Sequence, residues 1–102
     1  MKKCNCLKEL IEQIEDNRLP FIEEQLTEKV KIRHFDPSYP EYLYRWHWDE
    51  EDRLIEALNE NDWKFQFDNE LPIPLNMEIF IERGRIHRII KGTTPLSIKI
   101  TA

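Results

Sequence analysis

Hydrophobic and polar residues alternate with a period of two over most of the chain after residue 28. Residues 30–34 and 63–68 show the pattern most clearly, with apolar or aromatic side chains at every second position. This is the period of a strand with one buried face. Further short strands are predicted at residues 78–82, 85–91 and 95–101. Many short strands at close spacing favour an all-β sandwich or barrel with antiparallel strands.

The first 28 residues follow a different pattern. Apolar residues recur at helical spacing, with Asn5 as a possible N-cap and Asn17 as a possible left-handed stop, and the stripe consists of Leu7, Leu10, Ile11 and Ile14. Pro20 can open a second helical turn in which Phe21, Ile22 and Leu26 share a face. We therefore expect residues 1–28 to form a helical segment packed on the outside of a β-barrel domain spanning residues 29–102.

Residues 42–49 carry the densest aromatic pattern of the chain. In a strand they would present two different faces, the first formed by Tyr42, Tyr44, Trp46 and Trp48, and the second by Leu43, Arg45, His47 and Asp49. A turn precedes them, because the two prolines of residues 36–40 exclude both a helix and a central strand.

The segment 52–58 fits two patterns, because Leu54, Ile55 and Leu58 suit a helix as well as a strand. Its neighbours favour a strand. Residues 59–62 have the composition of a turn, and the alternating run 63–67 follows directly, so the two runs are predicted to form a hairpin. Residues 71–75, which contain two prolines, are predicted to be an edge strand or loop.

Composition limits the class of protein. A chain of 102 residues suits one domain, and its 3 Trp, 5 Phe and 3 Tyr are bulky enough to fill a core. No apolar run reaches the roughly 18 residues that a membrane helix needs, so we expect no membrane partner and a cytoplasmic location. The net charge of −5 disfavours nucleic-acid binding, which depends on neutralising phosphates. Cys4 and Cys6 are half a zinc site without a second cysteine pair, and we interpret them as reduced.

Residues from about Tyr42 to Ile100, about three-fifths of the chain, resemble a small cupin, which implies an antiparallel β-barrel or jelly roll. The likeness lies in Trp46-His47-Trp48-Asp49 and in Arg83-Gly84-Arg85-Ile86-His87. Gly84 and His87 match the family's second motif, although Glu82 stands where proline is usual. In the first motif His47 is kept, Asp49 replaces the second histidine, Arg53 stands where glutamate is expected, and Glu60 replaces the closing glycine.

The resemblance implies a site formed by His47, Asp49, Arg53 and His87. Two imidazoles and one carboxylate, from His47, Asp49 and His87, are a ligand set for a divalent ion such as Fe, Mn, Zn or Ni. The positive charge of Arg53 would oppose such an ion. The alternative is a pair of ordinary hydrogen-bonded histidines and no metal.

Without a metal, Arg53 and the two histidines could hold a small polar or anionic ligand, such as a carboxylate, a phosphate or a sugar hydroxyl. A third possibility is that Arg53 pairs with Asp49 or Glu51 and nothing binds. The sequence thus predicts a cupin-like small-ligand-binding or accessory protein. The alternative is a metal-dependent enzyme of the isomerase, oxygenase or decarboxylase class, using His47, Asp49 and His87.

The sequence also suggests a homodimer. Three Trp and further aromatic residues in so short a chain are expected to leave more apolar surface than one core can bury. A two-fold interface would cover that surface and the edges of the sheets.

Overall fold

The structure, a computed structural model, describes residues 18–102. These residues form eight β-strands and one 3-10 turn at Glu41–Leu43, the strands being β1 (Phe21–Gln25), β2 (Val30–Phe35), β3 (Arg53–Ala57), β4 (Lys64–Phe67), β5 (Ile73–Pro74), β6 (Ile79–Ile81), β7 (His87–Ile90) and β8 (Leu96–Thr101). No helix in this part of the chain is long and apolar enough to cross a membrane. The prediction of a β-rich fold is confirmed.

Five strands form one antiparallel sheet in the order β1-β2-β8-β3-β6. β8 lies at its centre, and its side chains alternate as the sequence predicts: Leu96, Ile98 and Ile100 are buried, whereas the residues between them are half-buried. The other three strands form a second antiparallel sheet in the order β5-β4-β7. Pro74 lies in β5 at the edge of that sheet, as predicted, because a proline cannot donate to a central ladder.

The core lies between the two sheets. It combines Ile55 and Ile98 of the larger sheet with Phe65 of the smaller sheet and with Trp63, which is 1% exposed. The Trp63 indole Nε1 donates to the carbonyl of Thr94, so its polar atom is satisfied although the ring is buried. Gly92 is needed here, since an added Cβ would lie 2.7 Å from Trp63 Cδ1 and 2.9 Å from the backbone carbon of Asp62.

The predicted second helical turn after Pro20 is wrong. Residues 21–25 form strand β1, which pairs with β2 in the register Phe21↔Phe35 to Gln25↔Lys31. Pairing satisfies the backbone groups of this segment along β2, and the Phe21 ring packs at 5.3 Å from the Phe35 ring. Tertiary pairing has therefore overridden a local helical pattern. The helix predicted from Asn5 to Asn17, together with Cys4 and Cys6, lies outside the described residues.

The strand predicted at residues 52–58 is confirmed by β3, but its hairpin with residues 63–67 is wrong. β3 pairs with β6 and β8, while β4 pairs with β5 and β7 in the other sheet. Side-chain hydrogen bonds fix the linker between β3 and β4. The Asn59 amide donates to the Pro95 carbonyl, and the Asn61 amide donates to the Leu75 carbonyl. Residues 59–62, which have the composition of a turn, therefore lie in a connection between the two sheets and not in a hairpin turn.

The strand predicted over residues 42–49 is also wrong. Only His47 makes a ladder contact, an isolated bridge to His87, and residues 41–43 form the 3-10 turn. Without a continuous strand the aromatic residues do not share a face: Tyr44 is buried in the core, whereas Trp46 and Trp48 are 43% and 56% exposed. The Arg88 guanidinium lies 4.4 Å from the centre of the Trp46 ring and anchors the segment by a cation–π contact.

Candidate functional site

His47 and His87 meet at the isolated bridge. The amide of His47 donates to the His87 carbonyl at 3.0 Å, and the amide of His87 donates to the His47 carbonyl at 2.9 Å. Residues that face each other in an antiparallel bridge present their side chains to the same side. The two imidazole centroids are accordingly 4.3 Å apart. The register of one bridge thus brings together two histidines that are forty positions apart in the sequence.

Asp49 joins the pair through the turn that precedes β7. The amide of Gly84 donates to the Asp49 carbonyl at 2.8 Å, and Gly84 has a φ of 77°, a left-handed conformation that glycine adopts without strain. This contact fixes the backbone of Asp49 beside the start of β7. One carboxylate oxygen of Asp49, Oδ2, then lies 3.4 Å from Nε2 of His87.

Backbone carbonyls fix the tautomers of both histidines. His47 Nδ1 lies 2.9 Å from the carbonyl oxygen of Arg45, and His87 Nδ1 lies 2.7 Å from that of Arg85. A carbonyl oxygen can only accept, so each Nδ1 carries the hydrogen, and in the neutral rings each Nε2 keeps its lone pair. Metal-binding histidines commonly have their second nitrogen held in this way.

His87 is held in its neutral form by its surroundings. It is 3% exposed, and burial lowers its pKa below the ordinary histidine value, although the hydrogen bond to the Arg85 carbonyl acts in the opposite direction. The ring also stacks on Phe65, with centroids 5.5 Å apart and an interplanar angle of 22°. Its Nε2 lone pair is therefore available at neutral pH.

Asp49 Oδ2 and His87 Nε2 face each other as two acceptors. Oδ2 is buried and receives no hydrogen bond from the residues of the described range 18–102. Two lone pairs 3.4 Å apart repel each other unless a positive or hydrogen-donating group lies between them. Two ligands of an ion with bonds of about 2.1 Å lie at a similar separation. One ligand atom from each of His47, Asp49 and His87 falls within 4.8 Å of the others.

Arg53, at the start of β3, occupies the other side of the carboxylate. Its Nη1 lies 3.3 Å from Asp49 Oδ1, and its Nη2 lies 3.6 Å from a carboxylate oxygen of Glu51. The predicted pairing of Arg53 with Asp49 or Glu51 is thus present, and it uses Oδ1 and leaves Oδ2 to face His87. Arg53 Nε is buried and finds no acceptor among residues 18–102.

These residues line one pocket of about 480 Å³. His47, Asp49, Arg53 and His87 all contribute to its wall, and the remaining wall combines apolar side chains from both sheets with Arg18, Arg33 and Arg45. The pocket lies within the roughly 300–1,000 Å³ range of small-molecule sites. The structure therefore brings the four sequence-predicted residues into one cavity.

The pocket also includes Phe65, Arg33 and Arg45, which were not predicted from the sequence. Arg45 shares parity with His47 and Asp49, which was a usable signal. Arg33 belongs to a strand two places from β3 in the larger sheet, and only the sheet order brings it to the pocket. His34, in contrast, is exposed on β2, where its Nδ1 lies 2.8 Å from the Ser97 hydroxyl, and it does not line this pocket.

Comparison with solved structures shows a cupin-type fold. The chain is similar to a cupin-2 domain containing protein from Shewanella frigidimarina, with a TM-score of 0.55 and 10% identity, over 94% of this chain and 90% of that one. It is also similar to the DMSP lyase DddQ from Ruegeria pomeroyi, with a TM-score of 0.65 and 13% identity over 79% of this chain. The chain spans 45% of the length of that lyase.

Sequence comparison adds no relative. No protein-family model matches the chain, and no curated protein matches it. The fold is thus shared with cupins at an identity so low that it shows architecture alone.

Proposed function

We propose that this cupin-type protein binds a divalent first-row transition metal ion through His47, Asp49 and His87. The observation that carries the proposal is the contact of two acceptors, Asp49 Oδ2 and His87 Nε2, at 3.4 Å, with Oδ2 buried and without a donor among the described residues. A cation between them would turn this repulsion into two bonds. The set of two imidazoles and one carboxylate is typical of iron, manganese and zinc sites.

The residues around the ligands support the same conclusion. Both histidines are oriented by backbone carbonyls, and the Asp49 backbone is held by Gly84, so little ordering remains to be done when an ion binds. Three protein ligands leave coordination positions open toward the pocket. When bound, the ion would polarise an oxygen of a small ligand in that cavity.

A second candidate is a metal-free small-ligand-binding or accessory protein. Arg53 favours it, because the guanidinium lies 3.3 Å from Asp49 and its charge weakens the attraction of the site for a cation. Asp49 and Glu51 each lie within 4 Å of this guanidinium and offset its charge in part. For this reason we prefer the metal-binding function.

Metal content decides between the two candidates. Protein purified without a chelator is analysed for iron, manganese, nickel and zinc, and the apoprotein is titrated with Co(II) while its visible spectrum is recorded. The proposal expects one ion per chain and loss of binding in His47→Ala and His87→Ala. His34→Ala removes an exposed histidine outside the pocket and is the matched control.

Two outcomes would contradict the proposal. The first is the absence of Co(II) bands and of bound metal in correctly folded wild-type protein, judged by circular dichroism. The second is binding that His34→Ala weakens as much as His47→Ala does. Because His87 is buried, His47→Ala is the decisive variant if His87→Ala unfolds.

A further inference from the structure

The charges that line the pocket contrast with those of the whole chain. The protein has 20 acidic residues and 15 Lys and Arg. Yet within residues 18–102, four arginines line the pocket, Arg18, Arg33, Arg45 and Arg53, against one carboxylate, Asp49. A cleft lined by one sign of charge between apolar walls concentrates ligands of the opposite sign.

Two of these arginines have acidic neighbours that lie outside the pocket wall. Arg33 Nε donates to Glu23 at 2.8 Å, and Arg53 Nη2 lies 3.6 Å from Glu51. The Glu23 and Glu51 side chains are 36% and 56% exposed, so water weakens these pairs. These exposed pairs therefore offset the charges of Arg33 and Arg53 only in part, and inside the cavity Asp49, 3.3 Å from Arg53 Nη1, is the one carboxylate that faces the four arginines within residues 18–102.

Arg53 also has a donor without an acceptor. Its Nε is buried, and no residue of the range 18–102 accepts its hydrogen. A buried N–H without a partner is costly, and an oxygen of a bound ligand would satisfy it. An anionic oxygen would satisfy it best, because hydrogen bonds between two charged groups are about twice as strong as neutral ones.

The rest of the wall is apolar. It combines side chains of both sheets with one of the 3-10 turn: Phe35, Ile55, Ile98 and Ile100 of the larger sheet, Phe65 of the smaller sheet, and Leu43. Such a wall gives no partners to hydroxyl or amide groups, so a sugar or a peptide would leave polar atoms unsatisfied there. The body of the ligand must be largely apolar.

We infer that the pocket binds a small organic anion with an apolar body, such as a medium-chain or aromatic carboxylate, and that Arg53 Nε donates to its acid group. The inference rests on the proposed function in one respect, namely that the same cavity is the ligand site. It adds the chemical class of the ligand and assigns Arg53 a binding role beside the metal ligands.

Three probes of equal length and different charge test the inference on the wild-type protein. Hexanoate, hexanamide and hexylamine are titrated by calorimetry into the apoprotein and into the Zn(II)-loaded protein. Hexanoate is expected to bind at least about tenfold more tightly than the amide in both forms, and hexylamine most weakly. Equal affinity for hexanoate and hexanamide, or a preference for the amine, would overturn the inference.

Arginine variants then identify the residues that cause the preference for hexanoate over hexanamide. Arg53→Gln and Arg45→Gln are expected to reduce the preference for hexanoate over hexanamide, whereas Arg83→Gln, which removes the same charge at an exposed position outside the pocket, is expected to keep it. If Arg53→Gln unfolds, Arg45→Gln and the wild-type comparison still decide. A preference that appears only with Zn(II), and that neither pocket variant alters, would assign anion binding to the metal alone and refute the role of Arg53.

The two proposals fail in different ways. If Co(II) binds and hexanoate is not preferred, the metal site stands and the anion class is wrong. If hexanoate is preferred in the apoprotein and no metal binds, the anion class is supported and the metal-binding proposal is wrong.

Discussion

His47 and His87 exchange both backbone hydrogen bonds across a single bridge, and this pair sets the geometry of the site. The two N–H···O distances are 3.0 and 2.9 Å, and the ring centroids are 4.3 Å apart. His47 belongs to an otherwise irregular segment, whereas His87 begins β7. The bridge therefore attaches a histidine of an irregular segment to a histidine of a strand, and Asp49 lies two residues after His47.

The carboxylate of Asp49 can be tested separately from the histidines. In Asp49→Asn, Co(II) affinity is expected to fall at least about tenfold, because a neutral amide is a poor ligand for such an ion. The amide nitrogen can also donate to His87 Nε2, which replaces the contact of two acceptors by a hydrogen bond. The apoprotein of this variant should therefore lose less thermal stability than Asp49→Ala, as measured by circular dichroism. Equal Co(II) affinity in Asp49→Asn and wild type would show that Asp49 is not a ligand.

Gly84 is predicted to support the site through its backbone. An added Cβ meets no atom within 4 Å, so Gly84→Ala brings no clash, but the φ of 77° is costly for alanine. The expected loss of stability is about 1–2 kcal/mol, measured by urea denaturation of the apoprotein. If the turn relaxes, its hydrogen bond to the Asp49 carbonyl lengthens and Co(II) binds more weakly. Unchanged stability together with unchanged Co(II) affinity would contradict this role.

Tyr44 links stability to alkaline pH. Burial raises its pKa to about 12, and its hydroxyl donates to the Asp36 carbonyl. In the unfolded chain the phenol ionises near its ordinary value of about 10. Its contribution to the free energy of unfolding is thus complete below pH 10 and is lost as the pH rises toward 12.

The variant Tyr44→Phe isolates that contribution. At pH 8 it should cost about 1 kcal/mol, the worth of one hydrogen bond. Between pH 10 and 12 the difference between wild type and variant should shrink and then change sign, because only the wild type has a phenol to ionise on unfolding and a rise of its pKa to about 12 outweighs one hydrogen bond. Urea denaturation across this range measures it, and a difference independent of pH would count against the raised pKa.

The homodimer remains a prediction. Large apolar side chains are exposed on β1 and on the segment just before it, with Leu19 at 63% and Ile22 at 75% exposure. β1 is also an edge strand of the larger sheet, with one side of its backbone unpaired in that sheet. Light scattering at micromolar concentration is expected to give twice the chain mass of 12.5 kDa. A monomer mass would exclude the dimer, and Ile22→Lys should weaken it if β1 forms the interface.

Local pattern by itself determined most of the strands. The alternation in residues 63–67 and 95–101 places every second side chain on one face, and burial of that face decides the conformation without knowledge of the partner strand. Residues 30–34 form a strand as predicted, but there His34 is exposed and the buried residue of β2 is Phe35. The site residues His47, Asp49 and His87 follow from the cupin resemblance of the sequence and not from alternation, and in the structure one ligand atom from each lies within 4.8 Å of the others.

Only the tertiary structure decided which strands pair and what surrounds the site. Residues 21–25 have a local helical pattern, but pairing with β2 makes them a strand. Residues 52–67 have the pattern of a hairpin, but β3 pairs with β8 and β6, so the two predicted strands lie in different sheets. The contact of Asp49 Oδ2 with His87 Nε2 and the four arginines of the pocket arise from segments far apart in sequence. Spacing along the chain carries no information on such contacts, since they depend on the order of strands in the sheets and on the free energy of closing the loops between them.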